Sequence, residues 1–300
     1  VTRDSDFQSG HTYHDYVRWQ MNMLSGSEGK HLWNFWKQEL AAPLPVIDLP
    51  LDYPRPLMQT YEGDCRAFSL STQLSRDLRD LAVQAGTTLY TLFMAAYMLL
   101  VQRLTGQDDL VIGSPTSGRS RAEFQGIVGY FVDPVVIRAG LEPGITFRDF
   151  LEYMQKVIGR AIEHSDFPFA LLVEKLQIDR EPGRSPIFDL SMNYIPYARP
   201  LDEDTSREVE VFDISQADGK FDLTLNIFEE QVSIQGSLGY NSNLFKQETV
   251  SRFVNYLHNI LEQIVRDPDQ EINALPIQDY QGSVPPPVLT GPARQLDNLK

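Results

Sequence analysis

Large apolar residues recur along this chain at two spacings, and the spacing changes from region to region. In His11–Leu24 and Lys30–Leu40 they fall three or four apart (Tyr16, Trp19, Met23; Leu32, Phe35, Trp36), the repeat of one helix face. Five prolines follow between Ala42 and Pro56: Pro43, Pro45, Pro50, Pro54 and Pro56. Each fixes φ and removes an amide donor, so this stretch is predicted to lie extended across a surface. From Arg66 onward helical and strand patterns alternate. Arg66–Leu70 reads as a strand. Ser71 is placed to cap a helix carrying Leu74, Leu78, Leu81 and Ala82, stopped at Gly86. Thr88–Leu104 is apolar on nearly every face, which predicts a buried helix. Leu110–Ser114 and Val128–Arg138 are β-rich runs on either side of a loop containing glycine and arginine. Thr146–Ile162 predicts an amphipathic helix with Phe147, Phe150, Leu151, Met154, Ile158 and Ile162 on one side. Pro168 suits the first turn of the next helix, with Asp166 near the cap. Strands are predicted at Phe188–Tyr194, Val209–Ile214, Phe221–Phe228 and Gln231–Tyr240, the last two forming a hairpin around Glu229 and Glu230. Glu248–Val265 reads as a closing helix with Phe253, Leu257, Leu261 and Ile264 inward.

The pattern divides the chain into a helical and proline-rich connector (1–60), one compact α/β domain (61–280) and a proline-containing linker or tail (281–300). Within the domain a mixed sheet is expected, backed by the helices that begin near Leu89 and Phe147. With 300 residues, 42% of them apolar, the chain can bury one large core. Its net charge of −15 disfavours nucleic acid and anionic membranes, which attract basic surfaces. Cys65 is the single cysteine, so no internal disulfide or multi-cysteine zinc site can form, and it reads as a small strand residue. Val1–Gly10 lacks the apolar core of a signal peptide, and Leu89–Val101 is too short to span a bilayer. A cytoplasmic, membrane-free protein is expected.

Recognisable catalytic motifs are scarce. The chain has no G-x-S-x-G elbow, P-loop or G-x-G-x-x-G run. His11 and His14 stand three apart, but no acidic residue follows at metalloprotease spacing, which leaves a solvated helix end and no metal. His164, Ser165 and Asp166 are adjacent and therefore cannot converge as a triad. His164 is better placed at a helix C-terminus, where a cation suits the dipole.

Four other stretches carry more information. His14-Asp15-Tyr16-Val17-Arg18-Trp19-Gln20 resembles the Tyr-x-Asp-Tyr-x-x-Trp element of nonribosomal-peptide condensation domains. Gly113–Arg121 followed by Ile127-Val128-Gly129-Tyr130-Phe131-Val132-Asp133-Pro134 resembles their loop and I-G-x-F-V-N element. His164-Ser165-Asp166-Phe167-Pro168-Phe169 resembles H-Q-D-Y-P-F, and Arg180–Phe188 resembles R-D-x-S-R-N-P-L-F. The order and spacing of the four match the family over roughly residues 11–278. The family's H-H-x-x-x-D-G motif has no counterpart, since no two histidines here are adjacent. The chain thus resembles the C-terminal lobe of such a domain. This implies a chloramphenicol acetyltransferase-like lobe, with a mixed β-sheet and packed helices. The wording Gly129-Tyr130-Phe131-Val132-Asp133-Pro134 is similar to condensation domains of mixed polyketide–peptide assembly lines.

The resemblance implies an amide-forming reaction between two carrier-bound thioesters. The phosphopantetheine arms come from carrier proteins and no cofactor is bound to this chain itself. The partners implied are the N-terminal lobe, the carrier proteins and an adjacent adenylation domain. Without the histidine motif the fragment is expected to be inactive alone, with no catalytic residue of its own. Family-motif positions that could line the substrate tunnel are Tyr16, Trp19, Arg119, Gly129, Tyr130, Asp133, Asp166, Pro168, Arg180 and Arg184. Asp133 stands where the family usually has Asn, and an ionised carboxylate cannot donate, so a donor contact is expected to be lost. Arg119 either reaches the interlobe face or is solvated. Arg180 and Arg184 are expected to hold loops by ion pairs, Tyr16 and Trp19 to pack the connector. An exposed apolar face is expected near Tyr130 or at the hairpin after Phe221. Two other readings remain open: a non-catalytic docking platform for carrier or adenylation domains, and half of a related ester-forming acyltransferase.

Overall fold

The computed structural model describes residues 10–178, 181–196 and 219–274. Arg180, the predicted strand Val209–Ile214 and the 281–300 tail lie outside the described residues. Two short helices open the chain, α1 (Tyr13–Ser25) and α2 (Ser27–Glu39). Then come β1 (Gly63–Leu70), α3 (Thr72–Gln84), α4 (Leu89–Thr105), β2 (Asp109–Thr116), β3 (Asp133–Gly140), α5 (Phe147–Glu163) and α6 (Phe169–Leu176). The series closes with β4 (Leu190–Ile195), β5 (Leu223–Glu229), β6 (Ile234–Asn241) and α7 (Gln247–Arg266).

Six strands form one mixed sheet in the order β1-β6-β5-β4-β2-β3. The β1/β6, β5/β6 and β2/β3 pairs are antiparallel, whereas β4 runs parallel to both β5 and β2. Helices α3, α4, α5 and α7 pack on one another and against the sheet. At the centre lies α4, where every residue from Thr91 to Val101 is buried. Burying each Leu, Met or Phe there stabilises the fold by about 1.5–3 kcal/mol relative to exposure. The Thr88 hydroxyl accepts from the Thr91 amide at the start of α4, and Gly106 at φ 71° ends it, a conformation that glycine adopts without steric penalty. No single helix among the described residues is long and apolar enough to cross a membrane.

The connector is anchored to this core. Trp36, 2% exposed, donates its indole N–H to the carbonyl of His164 at 2.9 Å. Ile47 and Leu49 are buried in the same cluster. The Gln107 amide clamps the extended segment by donating to the carbonyl of Val46 (2.9 Å) and accepting from the amide of Asp48 (2.8 Å). Arg138, paired with Asp109, also donates to the carbonyls of Glu39, Ala41 and Pro43.

Three sequence expectations need correction. Val128–Val132 is not part of a strand; β3 begins at Asp133 because the preceding residues fold onto a small core of their own. On α5, Ile162 is 51% exposed, while Val157 and Ala161 face inward in its place. Phe188 precedes β4, its ring lying where a Cβ on Gly113 would be, 2.0 Å from the ring carbons. Only glycine at position 113 leaves room for that ring.

Candidate functional site

Most of the motif residues converge at one corner, where α1 meets the β2–β3 loop and the turn between α5 and α6. The loop spans 16 residues, from Ser117 to Val132, between strands paired at Thr116 and Asp133. Its ends are close together and its own side chains fill it, the definition of an Ω-loop. Phe124, Ile127 and Phe131 form a buried cluster separate from the main core, with Tyr16 and Trp19 of α1 against it. The Tyr16 ring centroid lies 4.6 Å from that of Phe131 and 5.4 Å from that of Phe124, and Trp19 lies 5.6 Å from Phe124. Such aromatic pairs contribute about 0.5–1.5 kcal/mol each beyond the area they bury.

Arg119 organises the loop. Its guanidinium lies 4.1 Å from the Phe131 ring centroid, and one terminal nitrogen donates to the carbonyls of Phe124, Gln125 and Ile127 at 3.0, 3.1 and 2.8 Å. It is thus folded into the loop. Arg121 stacks over Trp19 and pairs with Glu123. Gly129 is the point of closest approach: a Cβ there would meet the Tyr13 ring at 2.5 Å. The Tyr13 hydroxyl donates to the carbonyl of Tyr130 at 2.8 Å, fixing the loop's outer turn on α1. The side chains of Val128 (89% exposed), Tyr130 (77%) and Val132 project outward.

The two acids divide their tasks differently from the sequence expectation. Asp166 does not cap α6; its carboxylate accepts from the Ser120 hydroxyl at 2.7 Å and tethers the Ω-loop to the α5–α6 turn. Pro168 is the N-cap of α6 and has no side-chain cap of its own. Asp133 takes that role from β3, its carboxylate accepting from the Phe169 amide at 2.8 Å. The residue expected to lose a donor contact therefore serves as an acceptor at a helix N-terminus, where a negative charge is favoured. Burial pushes the Asp133 carboxyl above the ordinary carboxylate range, and the Phe169 amide pulls it back down. Burial, with the charges of Asp166 and Asp133 nearby, raises the Tyr16 hydroxyl. Tyr16 therefore stays protonated at neutral pH and accepts from the Gln20 amide at 3.2 Å. His164 is committed to structure: its Nδ1 faces the Arg160 carbonyl at 2.7 Å, so that nitrogen carries the proton, and the ring stacks on Phe35.

Arg184, expected to hold a loop by ion pairs, lies in a second site whose other members motif reading did not foresee. It donates to Glu181 (3.1 Å) and Asp189 (2.7 Å), and the second Asp189 oxygen accepts from the Ser185 amide. Beside it, Arg55 from the connector forms a bidentate pair with Asp222 and donates to the carbonyl of Gly183. Burial raises the Asp222 carboxyl and Arg55 opposes that rise. Asp189 and Asp222 each stand directly before an apolar strand, which was their only signal in the sequence. Along the connector a cavity of about 680 Å³ opens between Leu40–Ile47 and Leu176–Phe188.

A family profile described as the condensation domain matches residues 2–281. Gramicidin S synthase 2 of Brevibacillus brevis is 35% identical over 277 residues, which cover 90% of this chain and 6% of that protein. Surfactin synthase subunit 1 of Bacillus subtilis is 36% identical over 271 residues, covering 90% of this chain and 7% of its own length. The crystal structure of the X-domain from teicoplanin biosynthesis superposes with a TM-score of 0.80 at 25% identity, over 89% of this chain and 62% of that one. A four-domain nonribosomal peptide synthetase, solved with AMP and glycine, superposes with a TM-score of 0.78 at 26% identity, over 85% and 20%. The chain thus spans a few per cent of the length of these curated relatives and about three fifths of the X-domain chain.

Proposed function

The chain belongs to the condensation-domain family of nonribosomal peptide synthetases, and from that premise we propose that it is the C-terminal, acceptor-side lobe of such a domain. Residues 1–60 act as the interlobe connector, 61–280 as the lobe and 281–300 as a linker. The complete domain joins two thioesters held on phosphopantetheine arms of carrier proteins. The acceptor amine attacks the donor thioester carbonyl; the C–N bond forms, the C–S bond breaks, and the amine proton leaves with the released thiol. The lobe contributes binding and orientation. Holding reactants in register accounts for about 7–11 kcal/mol of barrier in well-oriented systems, and positioned acid–base help adds about 10²–10⁴ in rate. The second contribution requires a base that this chain does not supply.

One observation carries the reading: the sequence holds four elements of the family in order but no adjacent histidine pair. The exposed Val128–Val132 turn supports an apolar surface that another lobe covers. Carrier proteins, the N-terminal lobe and an adenylation domain are the partners, in the cytoplasm. The wording of Gly129–Pro134 favours a mixed polyketide–peptide assembly line. A condensation assay with two loaded carrier proteins, read by mass spectrometry, tests this. Residues 1–300 alone should give no product above spontaneous aminolysis, and adding the N-terminal lobe should restore it. Product from the chain alone would refute the assignment.

A further inference from the structure

The lobe holds two buried clusters that do not merge. Phe124, Ile127 and Phe131 form the small one; Tyr16 packs against it, Trp19 packs against both, and Met23 of α1 is buried in the main one. Loop 117–132 makes its contacts largely with α1. Tyr13, Tyr16 and Trp19 face Phe124 and Phe131, the Tyr13 hydroxyl bonds the carbonyl of Tyr130, and Arg121 lies 5.0 Å from the Trp19 ring centroid. Among the described residues, one side-chain hydrogen bond joins this loop to the lobe beyond α1, from Ser120 to Asp166 at 2.7 Å.

The attachments at both ends of this unit are thin. β3 is the last strand of the sheet, and β2 meets β4 at Gly113–Ser191, with the Ser114 hydroxyl reaching the carbonyl of Met192. Past that point β2 and β3 run on as a two-stranded stem, and register sets Pro115 opposite Pro134. Neither proline has an amide hydrogen, so that rung has no donor of its own. At the other end α1 stops at Gly26, which is also the N-cap of α2 and has no side chain to bond the next turn. Hinges are a few residues at element ends, and a unit with its own core and few outside bonds opens as one. We propose that α1 and loop 117–132 are one hinged body that swings on the rest of the lobe at Gly26 and at the Pro115/Pro134 rung, with the Ser120–Asp166 hydrogen bond as its latch. Trp19 and Met23 are the seat on which it swings. The exposed Val128 and Tyr130 ride on this body, so the apolar turn shifts against the sheet while Arg119 keeps its shape. That another lobe covers the turn rests on the reading above; the hinge does not.

Native-state hydrogen exchange of residues 1–300 over a series of low urea concentrations, resolved by NMR, tests this. The amides of Phe124, Gln125 and Ile127, which bond carbonyls inside the loop, and those of Tyr16–Gln20 in α1 should exchange through one opening. Their protection and urea dependence should be equal, and both lower than in α4. Ser120→Ala and Asp166→Ala should each accelerate the two sets by a common factor, about 2–10-fold for one hydrogen bond. The double variant should match the single ones, because both substitutions remove the same bond. Unchanged α4 protection would show that each variant is folded. Different factors or urea dependences for α1 and the loop would mean two bodies, and latch variants without effect on the loop would mean no latch. Either result overturns the proposal, as does acceleration spread over the whole lobe. The exchange is read on the chain alone, so its failure leaves the lobe assignment to the condensation assay.

Discussion

The Ω-loop corner and the Arg55–Asp222/Arg184–Asp189 cluster are both built around arginine, yet they use it in opposite ways. In the corner Arg119 meets a ring face and three backbone carbonyls. There it shapes a loop. In the cluster each arginine meets a buried carboxylate: Arg184 braces its own loop through Asp189, and Arg55 ties segments 167 residues apart through Asp222. Removing charge from the first should loosen a surface, whereas removing it from the second should expose the cost of burying the charge that remains.

The largest effect is therefore expected from Asp222→Ala. It strands a guanidinium that is only 16% exposed, and should cost about 3–5 kcal/mol in urea unfolding. Replacing both partners, with Arg55→Met and Asp222→Leu, should recover most of that loss, because no uncompensated charge remains. A double variant as unstable as the single one would show that the pair itself, and not the orphaned charge, dominates.

Arg119→Ala should cost about 2–3 kcal/mol, the sum expected for a cation–π contact and charged hydrogen bonds, and the loss should be local. Hydrogen exchange should accelerate across 117–132 while α4 amides keep their protection. Arg119→Lys should not rescue it, since a point charge cannot serve a ring face and three carbonyls at once. Acceleration spread equally over the core would erase the distinction between the two regions.

The smallest effect is expected at Asp133. Asn and Asp cap helices about equally, so Asp133→Asn should change stability by under about 1 kcal/mol. Its sign follows from the raised carboxyl: a group whose pKa is higher folded than unfolded holds its proton more tightly in the fold, so its ionisation costs stability as pH rises through that range. Asn carries no such penalty, and near neutral pH the variant should be equal or slightly more stable. Below the carboxyl's unfolded range the difference should vanish, which thermal melts at acidic and neutral pH would check.

The same contrast explains what was legible in the sequence. Helices and strands with strong periodicity, such as α4, α7 and the β5–β6 hairpin, follow from local pattern because burial repeats with the backbone geometry. The aromatic corner was visible as a set of motifs, yet its shape was not: Val128–Val132 has strand-like composition, and only the packing of Phe124 and Phe131 under Arg119 turns it into a loop. Asp133 looked like a lost donor because its partner, the Phe169 amide, belongs to another element. Arg55 and Asp222 left almost no trace, since an ion pair formed across the fold has no spacing to detect.

Hydrogen exchange of residues 1–300 with and without a separately produced N-terminal lobe tests the central claim most directly. Protection is expected at 127–133 and on the β5–β6 face from 224 to 239, with the Arg55 and Asp222 segments unchanged. Protection at the Arg55–Asp222 segments or over the α3–α7 helix layer, or no change anywhere, would contradict the account.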